Sequence, residues 1–94
     1  MNLLSKDIKI IFITDPDFPR NKEFLELLTV ISEATVINFY TMDIDELTFI
    51  AKHRILPAYT ILIMSGQKVI GRLVNKFPKK STFRKMLKNI NEKE

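Results

Sequence analysis

Short apolar runs alternate along the chain with longer segments whose apolar residues recur every three or four positions. The short runs are rich in β-branched and aromatic side chains, a composition that is typical of strands. They occupy residues 8–13, 35–40, 59–64 and 68–74. Because Ser65 and Gly66 form a tight-turn pair between the last two runs, those runs are predicted to form an antiparallel hairpin.

Two of the longer segments show the i, i+3, i+4, i+7 spacing of an amphipathic helix. Their apolar positions are Phe24, Leu27, Leu28 and Ile31 in the first segment, and Phe83, Met86, Leu87 and Ile90 in the last. The first segment predicts a helix over residues 20–33, and the last predicts a helix behind Pro78. Each helix therefore has one apolar face that packs on a core.

A further helix is predicted between these two. Asp43 and Glu46 have the spacing of a capping box, so this helix begins after Asp43, and it ends near residue 53 or 54. Asp45 adds a third carboxylate, but the spacing lacks the loop geometry and glycine of a calcium motif, and capping is the better interpretation. The buried face of this helix is predicted to consist of Ile44, Leu47, Ile50 and Ala51.

The predicted order of elements is β-α-β-α-β-β-α, which indicates an α/β fold. The first two strands are joined by a helical crossover, so they are predicted to be parallel. At 94 residues the chain is long enough for one hydrophobic core. We therefore expect a single domain over residues 1–94, in which helices flank a mixed four-stranded sheet.

The composition narrows the chemistry that this domain can perform. The chain is 46% hydrophobic and 28% charged, as in an ordinary globular protein, and it has no cysteine and one histidine. Disulfide exchange and cysteine-based zinc sites are therefore excluded, and His53 alone cannot build a metal cluster. We find no Ser-His-Asp set and no glycine-rich phosphate loop, so we expect no enzymatic activity, no metal and no cofactor.

The first apolar run of the sequence is relevant to the cellular location of the protein. This run, residues 8–13, is interrupted by Lys9. Such a run is too short and too polar for a signal peptide or a membrane span. We therefore expect a cytoplasmic protein that does not bind a membrane.

The charge of the chain is unevenly distributed. Residues 1–67 hold 6 basic and 9 acidic side chains, for a net −3, whereas residues 68–94 hold 9 basic and 2 acidic ones, for a net +7. A solvated, lysine-rich last helix explains this asymmetry, and nucleic-acid binding is the alternative. The basic residues of that alternative are Lys76, Lys79, Lys80, Arg84, Lys85 and Lys88. Because Phe83 belongs to the core stripe, a platform for base stacking is not favoured.

Two stretches of the sequence resemble one protein superfamily. Residues 51–63, AKHRILPAYTILI, resemble the thioredoxin run A-K-K-Y-x-I-x-x-I-P-T-L-L-L, and a turn glycine, here Gly66, follows in both. The alignment has a one-residue gap before Ile55 and another near the turn. Residues 11–21, IFITDPDFPRN, resemble the T-D-P-x-C-P-x-C segment of glutaredoxin-like disulfide oxidoreductases. With the order of elements, these stretches make the chain similar to the thioredoxin/glutaredoxin-like superfamily, and the resemblance implies the fold of that superfamily.

The resemblance places other residues where the family has its two active-site cysteines. Phe18 and Asn21 occupy those positions in one register, and Asp17 and Arg20 occupy them in a register one residue earlier. Neither pair can perform thiol–disulfide exchange, because that reaction needs a thiolate that attacks a sulfur. The resemblance therefore implies a redox-inactive member without a CxxC motif.

The family also has a cis-proline before its third strand, and the backbone beside it pairs with substrate peptide. In the better alignment this position is Tyr59, and in the alternative register it is Pro57. A cis bond before a residue other than proline costs about 2.5–4 kcal/mol, so we expect a trans bond before Tyr59. Asn75 stands where the family often has a glycine, and asparagine tolerates left-handed backbone geometry.

These features predict a module that binds a protein or peptide in a chaperone, assembly or regulatory interaction. The predicted partner-binding residues are Asp17, Phe18, Pro19, Arg20, Asn21, Pro57, Tyr59 and Thr60. Two alternatives remain, in which the proline-containing loop is a rigid turn that caps a helix and Tyr59 simply begins a strand. An exposed edge strand over residues 35–40 could also pair with another chain, and we expect a monomer or a weak homodimer.

Overall fold

A computed structural model describes residues 8–15, 21–31 and 34–93, and its elements follow the predicted order. The strands are β1 (Ile8–Thr14), β2 (Thr35–Asn38), β3 (Thr60–Ser65) and β4 (Lys68–Val74). The helices are α1 (Asn21–Leu28), α2 (Ile44–Lys52) and α3 (Lys80–Lys93). None of the described helices is both long enough and apolar enough to cross a membrane.

The four strands form one mixed sheet in the order β2-β1-β3-β4. β1 and β2 are parallel, as predicted from their helical crossover. β3 is antiparallel to both β1 and β4, so the predicted hairpin is confirmed. Gly66 lies in the hairpin turn with a φ of +61°, a conformation that glycine adopts without steric cost.

The sheet separates two hydrophobic clusters because successive side chains of a strand point to opposite faces. On one face, Phe12 of β1 packs edge-on against Phe24 of α1 and Phe83 of α3, with ring centroids 5.3 and 6.2 Å apart. On the other face, Ile13 belongs to the cluster that contains Ile50 of α2. The predicted stripe of α3 is confirmed, since Phe83 is fully buried in the first cluster.

Helix α1 is shorter than the predicted helix over residues 20–33, because it ends at Leu28. The next residues, Thr29, Val30 and Ile31, are all β-branched and disfavour a helix. The hydroxyl and the amide of Thr29 both donate to the Glu26 carbonyl, at 2.7 and 3.2 Å. These i to i−3 bonds tighten the helix end into a turn. The predicted positions 20, 32 and 33 lie outside the described residues.

Strand β2 is also shorter than the predicted run over residues 35–40. The Asn38 side-chain oxygen accepts a hydrogen bond of 2.8 Å from the Tyr40 amide, and the Asn38 carbonyl accepts one of 3.1 Å from the Thr41 amide. These local bonds turn the chain away from the sheet. Tyr40 is therefore an exposed turn residue and not part of the edge strand.

The capping box of α2 is confirmed in both directions. The Glu46 amide donates to the Asp43 carboxylate at 2.8 Å, and the Asp43 amide donates to the Glu46 carboxylate at 3.0 Å. At the other end, the Arg54 amide donates to the Ala51 carbonyl, and the Ile55 amide donates to the Ile50 carbonyl. This pair of bonds is a Schellman motif, in which Arg54 adopts a left-handed φ of 54°.

The predicted buried face of α2 is wrong except for Ile50. Ile44 and Leu47 are 72% and 45% exposed, and Ala51 is exposed as well. The helix instead turns Ile50 and the partly buried Phe49 towards the sheet. Met42, Phe49 and Ile55 join Ile50 in this cluster, so contacts with the sheet and with the chain on either side of α2 decide which face of the helix is buried.

A β-bulge in the hairpin could not be seen in the sequence. Ile63 pairs with Gly71, but Met64 pairs with Val69, so Ile70 is the extra residue on β4. The extra residue shifts the alternation of side chains along β4. Val69 therefore packs on the α2 side of the sheet.

Candidate functional site

The two stretches that resemble the thioredoxin superfamily meet at one edge of the sheet. In the parallel pairing Thr14 lies beside Asn38, so β1 and β2 end together. β3 begins at the same edge, because Thr60 pairs with Ile13 near the end of β1. We call this place the carboxyl edge, formed by Thr14, Asp15, Asn38 and Thr60. Open α/β sheets bind their ligands at such an edge.

Most of the predicted loop lies outside the described residues. This holds for Asp17, Phe18, Pro19 and Arg20, and for the side chain of Asn21. The described chain reaches this segment at Asp15, which is buried at the carboxyl edge, and continues at the start of α1. The partner-binding role of these loop residues therefore stays a prediction.

Tyr59 belongs to the core. Only 2% of its surface is exposed, and its ring centroid lies 4.8 Å from that of Phe24 and 5.8 Å from that of Phe77. The described peptide bonds are all trans, including the bond before Tyr59, where the sequence predicts trans geometry. The Tyr59 ring therefore packs in the core beside the carboxyl edge, and little of its surface is accessible to a partner.

The backbone of Tyr59 is also engaged within the chain. Its amide donates to the Asn75 side-chain oxygen at 3.2 Å, and its carbonyl accepts a bond of 2.7 Å from the Asn75 amide. Asn75 has a φ of 53°, as expected for a residue at a position where the family often has glycine. With both groups bonded to Asn75, Tyr59 does not offer an open backbone edge to an extended peptide.

Thr60 and Pro57 differ in accessibility. Thr60 is buried, and its hydroxyl donates to the Ala58 carbonyl at 3.4 Å. Pro57 is exposed, and so is the neighbouring Leu56. Among the predicted partner-binding residues whose side chains the structure describes, Pro57 is therefore the accessible one. A partner-binding role for Tyr59 and Thr60 remains a prediction that needs their side chains to become accessible.

The sequence interpretation missed a second surface, on α2. Ile44, Leu47 and Ala51 follow each other at i, i+3 and i+7, so they form one stripe along the helix, which we call the α2 stripe. All three are exposed. The signal was present in the sequence, because a nine-residue helix that carries Phe49 and Ile50 as well as Ile44 and Leu47 has more apolar residues than one face holds.

A small cavity lies between α1 and the start of α3. It has a volume of about 190 Å³, and Leu27 and Phe77 contribute its apolar lining. Glu23 of α1 and Lys80 of α3 are among its charged lining residues. This volume is below the range of about 300–1,000 Å³ that is usual for small-molecule sites. The cavity can accept a single side chain.

The basic residues of the nucleic-acid alternative are all exposed: Lys76, Lys79, Lys80, Arg84, Lys85 and Lys88. The two aromatic rings next to them in the sequence pack against other residues of the domain. Phe83 is fully buried, as predicted, and Phe77 packs against Phe24 with centroids 6.1 Å apart. The described part of this segment can contact phosphates, but these two rings are not free to stack on bases.

Comparison with solved structures identifies the fold. A thioredoxin from Thermus thermophilus matches with a TM-score of 0.59 and 13% identity, over 88% of this chain and 72% of that one. Trxlp from Edwardsiella tarda matches with a TM-score of 0.63 and 15% identity, over 90% and 85% of the two chains. A mutant thioredoxin from Halobacterium salinarum matches with a TM-score of 0.59 and 11% identity, over 90% of this chain and 75% of that one. No protein-family model and no curated protein matches the sequence.

The chain thus has a thioredoxin-like fold, and it has it without any cysteine. The fold that the sequence resemblance implied is confirmed. Thiol–disulfide exchange is impossible for a chain without a thiol.

Proposed function

We propose that this chain is a non-redox, thioredoxin-like module that binds a protein or peptide partner in the cytoplasm and is not an enzyme. The observation that carries the proposal is the α2 stripe, because Ile44 and Leu47 are large aliphatic side chains that the fold leaves 72% and 45% exposed. Neighbouring exposed apolar side chains on a small domain are typical of an interaction surface. A partner that covers them removes apolar area from water.

The charges around the α2 stripe define the chemistry of the partner. Asp43, Asp45 and Glu46 surround Ile44 in the first turn of α2. We therefore propose a partner segment with apolar side chains that cover the stripe and basic side chains that approach this acidic turn. Complementary charges of this kind steer association and fix the orientation of the two proteins.

The carboxyl edge is the second part of the proposed surface. Phe18, Pro19 and Arg20 are its proposed contact residues, together with the exposed Pro57. Because Tyr59 is packed in the core, its truncation would destabilise the chain as well as change the edge. Variants that test the edge are therefore made at Phe18 and Arg20 and leave Tyr59 intact.

The test starts with affinity capture from the native source with the full chain as bait. Binding is then measured with the purified partner by titration calorimetry. We expect Ile44→Ser/Leu47→Ser to weaken binding by about tenfold or more, since two large apolar contacts are lost. Phe18→Ala/Arg20→Ala should weaken it as well. A matched control, Leu25→Ser/Ile70→Ser, removes two apolar side chains that are also exposed but lie on α1 and β4.

The control variant distinguishes binding at the α2 stripe from non-specific hydrophobic association. If the control variant and the stripe variant lose equal affinity, the α2 stripe is not the binding surface. A partner whose affinity is unchanged in both the stripe variant and the Phe18/Arg20 variant contradicts the proposed surface as a whole. Each variant is first compared with the parent chain by thermal unfolding, so that loss of fold is not mistaken for loss of binding.

The alternative function is binding of nucleic acid by the exposed basic residues between Lys76 and Lys88. Phosphate contacts would make the affinity fall steeply as salt increases. The measurement is retention of RNA or DNA at about 50 mM salt, the low end of the range over which such contacts are strong. Retention that falls steeply at higher salt supports this alternative, and absence of retention at low salt removes it.

A further inference from the structure

A cavity of about 300 Å³ opens on the α2 face of the sheet, far from the carboxyl edge. Its lining includes Lys9 at the start of β1 and Met64 near the end of β3, which are paired in register. Phe49, Lys52 and His53 line it from the last turn and the cap of α2. The described residues that line the cavity include none of the α2 stripe and none of the carboxyl edge, so the cavity is a different site from the proposed partner surface.

The walls of this cavity are apolar. Ile11 and Met64 contribute them from the sheet, and the Phe49 ring contributes from the helix. The Phe49 and His53 rings lie with their centroids 4.5 Å apart, so one wall is a pair of rings. Aromatic rings and a thioether are favourable neighbours for another aromatic ring. The volume lies at the lower end of the range for small-molecule sites.

The mouth of the cavity is cationic. Lys9 and Lys52 are both exposed lining residues, and no carboxylate is among the described residues that line the cavity. Backbone carbonyls at the end of α2 already accept hydrogen bonds from other groups of the chain. The Phe49 carbonyl accepts from the His53 amide at 3.1 Å, and the His53 carbonyl accepts from the Arg72 guanidinium at 3.2 Å. Two exposed ammonium groups therefore border the cavity, where they can attract an anion.

We propose that this cavity is a binding site for a small aromatic carboxylate. The aromatic body lies against Phe49, Ile11 and Met64, and the carboxylate is held between Lys9 and Lys52. Apolar contact supplies affinity, and the two cations select for the negative charge. Both contacts together define the ligand class. The apolar wall alone does not select a charge, and the two lysines alone do not select an aromatic ring.

The test is an NMR titration of the ¹⁵N-labelled full chain with three probes. 2-Naphthoate carries both recognition elements, 2-naphthylmethylammonium has a similar aromatic body with the opposite charge, and acetate has the carboxylate alone. We expect saturable shifts with 2-naphthoate at the amides of Ile11, Phe49, Lys52, Met64 and Gly66. We expect affinity about tenfold or more weaker for the cation and no saturable shifts with acetate.

Variants identify the lysines as the cause of the selectivity. Lys9→Gln/Lys52→Gln should weaken 2-naphthoate binding about tenfold and abolish the preference over the cationic probe. The matched control, Lys85→Gln/Lys88→Gln, removes the same charge from exposed positions on α3 and should leave binding unchanged. The proposal is overturned if 2-naphthoate shifts amides elsewhere or none, if the cation binds equally well, or if both double variants lose the same affinity.

Discussion

Replacement of Arg54 by glycine is predicted to give a more stable protein than its replacement by alanine. Arg54 follows the C-cap of α2 with a φ of 54°, a conformation in which the Cβ atom crowds the backbone. The position is fixed by the Schellman bonds, which join the Arg54 amide to the Ala51 carbonyl at 3.2 Å and the Ile55 amide to the Ile50 carbonyl at 3.1 Å. The chain cannot relax this φ without losing both bonds. Glycine adopts it freely.

The magnitude follows from opposing contributions. Left-handed geometry costs a residue with a Cβ about 1–2 kcal/mol. The greater freedom of glycine in the unfolded chain offsets about 0.5–1 kcal/mol of that gain. Loss of the guanidinium near the C-terminus of α2 removes about 0.3–1 kcal/mol of favourable interaction with the helix dipole. Arg54→Ala loses the same charge and keeps the crowded Cβ, so the glycine variant should exceed the alanine variant by about 0.5–1 kcal/mol.

Urea unfolding followed by circular dichroism measures this difference through the midpoint at a constant m-value. In a domain of this size, 1 kcal/mol corresponds to about 4–8 °C in the melting temperature, so a thermal scan resolves it too. If Arg54→Gly is no more stable than Arg54→Ala, the backbone at residue 54 is not strained in the way that its φ indicates. A change in m-value would show instead that the variant altered the compactness of the folded or unfolded state.

Three further predictions concern the same fold and use urea unfolding as the measurement. Asp43→Ala should cost about 0.5–2 kcal/mol because it breaks the capping box, and no loss would contradict the role of Asp43. Asn75→Ala should cost about 1–3 kcal/mol because it leaves the amide of the buried Tyr59 without its acceptor and keeps a Cβ at positive φ, and Asn75→Gly should cost less. Ile50→Ala should cost about 2–5 kcal/mol, whereas Ile44→Ala should change stability by less than about 0.5 kcal/mol. A larger loss of stability for Ile44→Ala than for Ile50→Ala would show that Ile44 lies on the buried face of α2, as the sequence predicts.

The features that the sequence predicts correctly are those set by local patterns. β-branched runs define the strands, and the i, i+3, i+4, i+7 spacing defines α1 and α3, since each pattern reflects burial on one face. The capping box is correct because two residues three positions apart form it without help from the rest of the chain. The early ends of α1 and β2 depend on side-chain bonds of Thr29 and Asn38 that compete with regular structure.

The features that the sequence does not predict depend on contacts between distant residues. α2 has apolar residues on two faces, and the sheet decides which face is buried. The bulge at Ile70 leaves no mark in the alternation of β4, although it changes the face on which Val69 packs. The burial of Tyr59 follows from Phe24 and Phe77, which lie 35 and 18 positions away along the chain. The sequence leaves open whether Tyr59 lines a groove or begins a strand, and the contacts with these two rings place its side chain in the core.

The measurement that tests the central proposal most directly is an NMR footprint of the captured partner on the ¹⁵N-labelled chain. We predict the largest shifts or line broadening at Ile44, Leu47 and Ala51, with a second set at Phe18 and Arg20. The amides of α3 should change little. Perturbation confined to α3, with an unchanged α2 stripe, would contradict the proposal that this cysteine-free, thioredoxin-like domain binds its partner through α2 and the carboxyl edge.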